Sequence, residues 1–237
     1  MKGMRFEVLV FGFGLLGCAG GRVEPRLPTQ AREERELGAR LDAATDLVQA
    51  GCKQVPAAFA GDVECAVVLP GVVHAGALLA GRFGRGFAVC ETDDGGVSAP
   101  IPVTLMGGIA GIAVGVETSD IVLLFTDDAA KRALSKSGIA LGVDTSVTAV
   151  QLSATDHSKR RIAARSYSRS HGLFVGIELA ASLQADEFAT AALYGSSPSI
   201  DRILSGEIKT PPRAQHFVEA IEARLGRSPK AVAPGAS

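Results

Sequence analysis

The chain has 237 residues, is 47% hydrophobic but only 5% aromatic, and carries 24 Lys and Arg against 25 Asp and Glu. That apolar fraction and near-cancelling charge exclude a disordered chain, and with no long basic tract bulk electrostatic binding to nucleic acid is disfavoured. The length suits one large domain or two small ones, and without Trp the core must come from Val, Ile, Leu and Ala.

Residues 1–17 read as an address rather than as fold. Lys2 and Arg5 precede a charge-free apolar run from Val8 to Gly17, which is too short to span a bilayer. Leu15-Leu16-Gly17-Cys18 resembles a bacterial lipobox, in which the chain is cut before the cysteine and the cysteine is acylated. Cleavage there removes Lys2, Arg5 and Glu7 and leaves 220 residues with 22 cations against 24 carboxylates. Several acyl chains on Cys18 anchor stably where one chain holds only marginally. Residues 18–30, with Pro25 and Pro28, read as a lipidated tether. Gly20 stands where many inner-membrane lipoproteins carry Asp, so in a Gram-negative cell the resemblance implies the outer membrane and a domain facing the periplasm. Of the remaining cysteines, Cys52, Cys65 and Cys90, either one pair bridges or all three are buried thiols.

The first element is a helix over 31–50, with Leu37, Leu41, Ala44 and Val48 on one face. Thr29 is placed to cap its start and Gly51 its end. Cys65 to Leu69 reads as a short strand stopped by Pro70-Gly71. Phe83 to Glu91 is a second strand, and Asp93-Asp94-Gly95-Gly96 a hairpin turn. The return strand, Val97 to Met106, contains Pro100 and Pro102, which suits a sheet edge or a bulge. Ile109 to Glu117 and Ile121 to Phe125 follow, with a turn expected at Thr118-Ser119-Asp120. Eleven glycines fall between Gly71 and Gly115. Gly76, Gly81, Gly107, Gly111 and Gly115 are expected to shape a curved sheet rather than to cradle a phosphate.

Asp127-Asp128 opens a short helix through Lys136, ended by Gly138. Ile139 to Val150 is extended and Asp156 to Arg161 a polar loop. Ile162 to Ser168 and Leu173 to Ala181 form a second strand pair. Helices follow at Asp186 to Tyr194, Ile200 to Leu204 and Arg213 to Leu225, then a tail, 226–237, expected to be disordered. Residues 31–225 contain no linker and read as a single domain.

No Gly-x-Ser-x-Gly elbow, phosphate loop or His-Glu-x-x-His pair is present, so neither catalysis, metal nor cofactor is expected. Gly81 to Gly86 runs into a strand rather than a helix, which excludes a dinucleotide loop. Lys159, Arg160, Arg161, Arg165 and Arg169 are five cations within eleven residues. In a strand, residues 161, 165 and 169 share a face, and a row of guanidinium forks suits phosphate oxygens. Charge alone equally suits a solvated face paired with nearby acids.

Residues of about 50–205 resemble the SYLF domain, a lipid-binding module. The resemblance is carried by Ser166-Tyr167-Ser168-Arg169-Ser170-His171-Gly172-Leu173-Phe174-Val175-Gly176-Ile177-Glu178-Leu179, by Ala80 to Gly86, by Ser98-Ala99-Pro100, by Leu141-Gly142-Val143-Asp144, and by Ala192 to Gly195 with Ile203 to Gly206. Val97 stands where that family usually has Trp. The resemblance implies an α+β fold, a glycine-rich antiparallel sheet flanked by helices and either open or closed into a barrel. It also implies contact with anionic lipid headgroups through the cations at 159–169. The expectation is therefore an envelope lipoprotein, anchored by acylated Cys18, that binds anionic lipid or another phosphate-bearing molecule. The alternatives are a non-catalytic lipoprotein with an envelope protein partner, or a carrier of an acyl ligand.

Overall fold

A computed structural model of the chain describes residues 28–51, 63–76, 80–109, 115–136, 138–141, 148–149, 161–162, 164–170, 173–176 and 181–227. Cys18, Cys52, Lys159, Arg160, the leader and the tail from residue 228 lie outside them. The first helix, α1, runs Pro28–Gly51. It starts inside the stretch read as a tether, because Pro at a first helical position has its φ already set and no N–H to lose. Thr29 therefore lies within the helix rather than capping it.

Four long strands follow: β1 (Cys65–Gly76), β2 (Ala80–Cys90), β3 (Ile101–Ile109) and β4 (Gly115–Phe125). Then come α2 (Ala129–Lys136), β5 (Ile139–Leu141), β6 (Thr148–Ala149), β7 (Arg161–Ile162), β8 (Ala164–Ser170), β9 (Leu173–Gly176) and β10 (Ala181–Ala185). The chain closes with α3 (Glu187–Tyr194), α4 (Ile200–Leu204), a 3-10 turn at Pro212–Ala214, and α5 (Gln215–Leu225). Eight strands form one antiparallel sheet in the order β5-β10-β3-β2-β1-β4-β8-β9, while β6 and β7 pair apart from it. The fold is α+β as expected, and the sheet is open, with β5 and β9 at its edges.

Alternation sends the side chains of β1 to two separate cores. Cys65, Val67 and Leu69 join Ile121, Leu123 and Phe125 of β4 beneath α2 and α4. Ala66 and Val68 join Phe87, Val89, Val122 and Leu124 beneath α1, α3 and α5. Helices on both faces explain why Cys65 to Leu69 reads as an unbroken apolar run. Leu37, Leu41, Ala44, Leu47 and Val48 are the buried stripe of α1. The Phe217 ring of α5 meets that of Phe87 at 5.7 Å. Cys65 and Cys90, directly opposite on β1 and β2, form a disulfide.

Three sequence expectations are corrected here. Pro70-Gly71 does not stop β1. The register against β4 passes from Leu69↔Ile121 to Val72↔Ser119, one extra residue on β1. This is a β-bulge, with Gly71 at φ +64°. Pro is tolerated there because the ladder is already interrupted. Gly84 and Gly86 on β2 sit against the bulge. A Cβ at Gly84 would lie 2.6 Å from Val72 Cγ2, and one at Gly86 would fall on the Val68 carbonyl.

Thr118-Ser119-Asp120 is mid-strand in β4 rather than a turn. Asp120 accepts the N–H of Gly71 at 3.0 Å, so its polar side chain serves the bulge and does not reverse the chain. Finally, β3 is an inner strand despite Pro102. Pro102 is its second residue, beyond the last β10 pair, Ala185↔Val103. Only its carbonyl is used on that side, accepting the Asp186 N–H at 2.9 Å. The hairpin at Asp93 to Gly96 and the Asp127 start of α2 are as read, the latter with Asp127 Oδ1 accepting the Ala129 N–H at 2.8 Å.

Candidate functional site

The cation row divides between two strands. Arg161 belongs to β7, where it pairs with Ala149 of β6, so it is not on one strand with Arg165 and Arg169. Parity alone had joined them; the chain leaves one ladder and starts another between residues 162 and 164. Arg165 and Arg169 do share a face of β8, opposite Leu124 and Asp120 of β4. Arg165 is exposed.

Arg169 is a structural partner. Its Nη2 and Nε donate to Asp120 Oδ2 at 2.7 and 3.0 Å, while Asp120 Oδ1 holds the bulge N–H of Gly71. One carboxylate thus ties β8 to the irregular turn in β1. A guanidinium so engaged has fewer donors for an incoming phosphate, which leaves Arg165 as the more available member of the pair. Of the best-matching resemblance segment, 166–179, residues 166–170 and 173–176 lie on β8 and β9 at one edge of the sheet, and the others lie outside the described residues.

A second polar group pins α1 to the sheet. Arg85 of β2 reaches Glu33 of α1 at 3.3 Å and Asp186 at 3.9 Å. Asp186 also caps α3, accepting the Ala189 N–H at 2.9 Å. Arg40 of α1 faces this group; burial and then the neighbouring Arg85 charge lower its pKa. Tyr194 donates its hydroxyl to the Pro100 carbonyl at 2.9 Å, and burial drives its pKa far above the ordinary tyrosine value. These groups complete structural hydrogen bonds rather than forming an acid–base pair facing a cleft.

Among the described residues, no three His, Cys, Asp or Glu side chains are grouped to hold a metal ion, and no helix is long and apolar enough to cross a membrane. Sequence reasoning missed an apolar surface at the end of β1 to β4, where Val73, Phe83, Met106 and Val116 are exposed. Its signal was present in the alternation of Val73, Ala75 with His74 and of Phe83 with Arg82, but the break assumed at Pro70-Gly71 hid it.

Comparison with known proteins gives a family described as Ysc84, Las17-binding protein actin regulator, matching residues 106–224. Protein YSC84 of Saccharomyces cerevisiae is 36% identical over 162 residues, 65% of this chain and 34% of its own. LAS seventeen-binding protein 3 of the same yeast is 34% identical over 161 residues, 65% of this chain and 35% of its own. SH3 domain-containing YSC84-like protein 1 of Homo sapiens is 30% identical over 159 residues, 64% and 46% of the two chains. The chain thus spans between about a third and a half of the length of these relatives. No solved structure matches.

Proposed function

Because the chain belongs to the Ysc84, or SYLF, family, we propose that it is a non-catalytic, membrane-anchored envelope lipoprotein whose domain contacts anionic lipid. The observation that carries this reading is the exposed Arg165 on β8, immediately before the segment that most resembles a lipid-binding module. A cation at an anionic leaflet is worth about 1 kcal/mol and is screened by salt. Lys159, Arg160 and Arg161 precede it in sequence and make this stretch of the chain basic. The Cys65–Cys90 disulfide supports an oxidising compartment such as a periplasm. The lipobox-like Leu15 to Cys18 supports an acyl anchor on Cys18.

The test is flotation of the chain carrying Cys18→Ser with vesicles of neutral or anionic phospholipid. Binding is expected to favour anionic vesicles, to weaken with salt and to fall in Arg165→Ala. Equal binding to both vesicle types, or an unaffected Arg165→Ala, refutes the headgroup assignment. Fatty-acid labelling of the wild-type chain, lost in Cys18→Ser, tests the anchor. A second reading is favoured by the relatives' names, one of which is a LAS seventeen-binding protein. In this reading the domain recruits a protein partner while the anchor holds the membrane. Stoichiometric co-purification of one envelope protein, without vesicle binding, supports it.

A further inference from the structure

We infer that the free end of the β1–β4 sheet is a second membrane contact, one that inserts apolar side chains at the headgroup–acyl boundary of a lipid bilayer. The strands outrun the helices that cover them. β1 is buried from Cys65 to Leu69 but alternates between exposed and half-buried from Val73 onward, and β4 is exposed over its first four residues.

The register sorts this end into two unlike faces. Val73 pairs with Phe83 and Thr118, Ala75 with Gly81 and Val116, and Met106 with Phe83, so these share the face that α1 covers further along. His74, Arg82 and Glu117 stand together on the other. Val73, Phe83, Met106 and Val116 are 39%, 47%, 60% and 76% exposed. Val73, Phe83 and Met106, with Gly81, Gly108 and Arg82, line an open depression of about 600 Å³. A contiguous exposed apolar patch of this kind marks an interaction surface.

The position of the amino-terminal chain argues for a bilayer as the occupant. Arg85, two residues from Phe83, holds Glu33 of α1. Pro28 begins α1 only about 8 Å along the helix axis from there. Cys18 precedes Pro28 by a stretch whose full extension is about 35 Å, so an acyl group on Cys18 keeps this end of the sheet within reach of the membrane it is anchored in. The strand length from Val73 to Gly76, about 10 Å, matches the depth of roughly 5–10 Å to which interfacial apolar faces sink. This inference rests on the proposed anchor at Cys18 but uses none of the β8 cations.

The absence of Trp from the chain makes the test specific. Phe83→Trp and Met106→Trp, each in the full chain carrying Cys18→Ser, supply a single indole at the sheet end; Phe188→Trp, at another exposed Phe, is the reference. With phosphatidylcholine vesicles the first two are expected to shift emission to the blue. Brominated lipid is expected to quench them at least about twofold more than the reference, and the shift is expected to survive about 1 M salt, where charge contacts are screened. The double change Phe83→Asp with Met106→Asp is expected to lower vesicle partition about tenfold or more.

Emission unchanged by vesicles, or a reference that shifts equally, overturns the inference. So does an indole already shifted without lipid, whether a dimer in sedimentation shows the face covered by a second copy or a monomer shows it covered by the chain's own amino-terminal segment. Insertion into neutral vesicles with an inert Arg165→Ala refutes the anionic-headgroup reading and leaves the sheet end standing. Salt-sensitive, Arg165-dependent binding with unshifted indoles does the reverse.

Discussion

Gly86→Ala tests the bulge that organises this sheet. A Cβ on Gly86 would collide with the Val68 carbonyl and would lie 2.9 Å from Leu69 Cα. Every one of those atoms is backbone, so no rotamer change relieves the clash, and β1 and β2 must separate next to the disulfide. Overpacking of a filled interior costs about 1–3 kcal/mol, and a backbone clash belongs at the upper end. At about 3 kcal/mol, a chain of this size loses roughly 6–12 °C in Tm. The matched control is Gly38→Ala in α1, where a Cβ meets nothing within 4 Å. There the helix gains about 0.5–1 kcal/mol from the better helix former. Thermal unfolding followed by circular dichroism, with urea midpoints alongside, reads both. Opposite signs are expected. A Gly86→Ala variant within about 0.5 kcal/mol of the parent refutes the close approach of β2 to the bulge.

Replacing Cys65 and Cys90 together by Ala opens a loop spanning 25 positions, which by chain entropy costs about 3.5 kcal/mol at 25 °C; urea midpoints of the oxidised parent and the variant measure it, and no loss refutes the bridge. Asp120→Ala removes the acceptor of the Gly71 N–H and releases two donors of Arg169. Stability is expected to drop by about 1–2 kcal/mol while binding to anionic vesicles strengthens, and weaker binding counts against β8 as the headgroup site. Glu64 has a pKa raised above its ordinary 4.5, first by burial and then by the Glu91 charge. Its folded state therefore holds the proton more tightly, and stability falls as pH rises above 4.5. Glu64→Gln is expected to raise Tm at pH 7 and to lose that gain on acidification below the ordinary value; a gain independent of pH refutes the desolvation argument.

Local chemistry was legible where it acts on neighbouring residues. The stripe Leu37, Leu41, Ala44 and Val48 defined the buried face of α1. Asp186 was readable as the start of α3 because a cap reaches only a few residues along the chain. The errors share another cause. Pro70-Gly71 and Thr118-Ser119-Asp120 are both turn signals by composition, yet they face each other across one ladder, and the Asp120–Gly71 hydrogen bond spans 49 positions. No local rule sees a partner that distant. The same limit placed Arg161 beside Arg165, since strand parity holds only while one strand continues. The pairing of Cys65 with Cys90, left open by the sequence, follows once both stand opposite each other on adjacent strands.

The sheet order also sets a schedule for folding. β1 to β4 can close as neighbours soon after they are made, but β10 must slot between β3 and β5, and it is β5's partner in the ladder. Neither core is sealed before the end of the chain: one needs Ile203 and Leu204, the other Phe217 and Ile221. Loop closure over such separations is an entropic toll paid before late contacts repay it. A nascent chain that stalls before residue 181 therefore presents an unpaired β3 edge and two half-covered apolar faces at once. Such a chain is prone to self-association, so completing the carboxy-terminal helices, rather than forming the glycine-rich meander, commits this domain to its native fold.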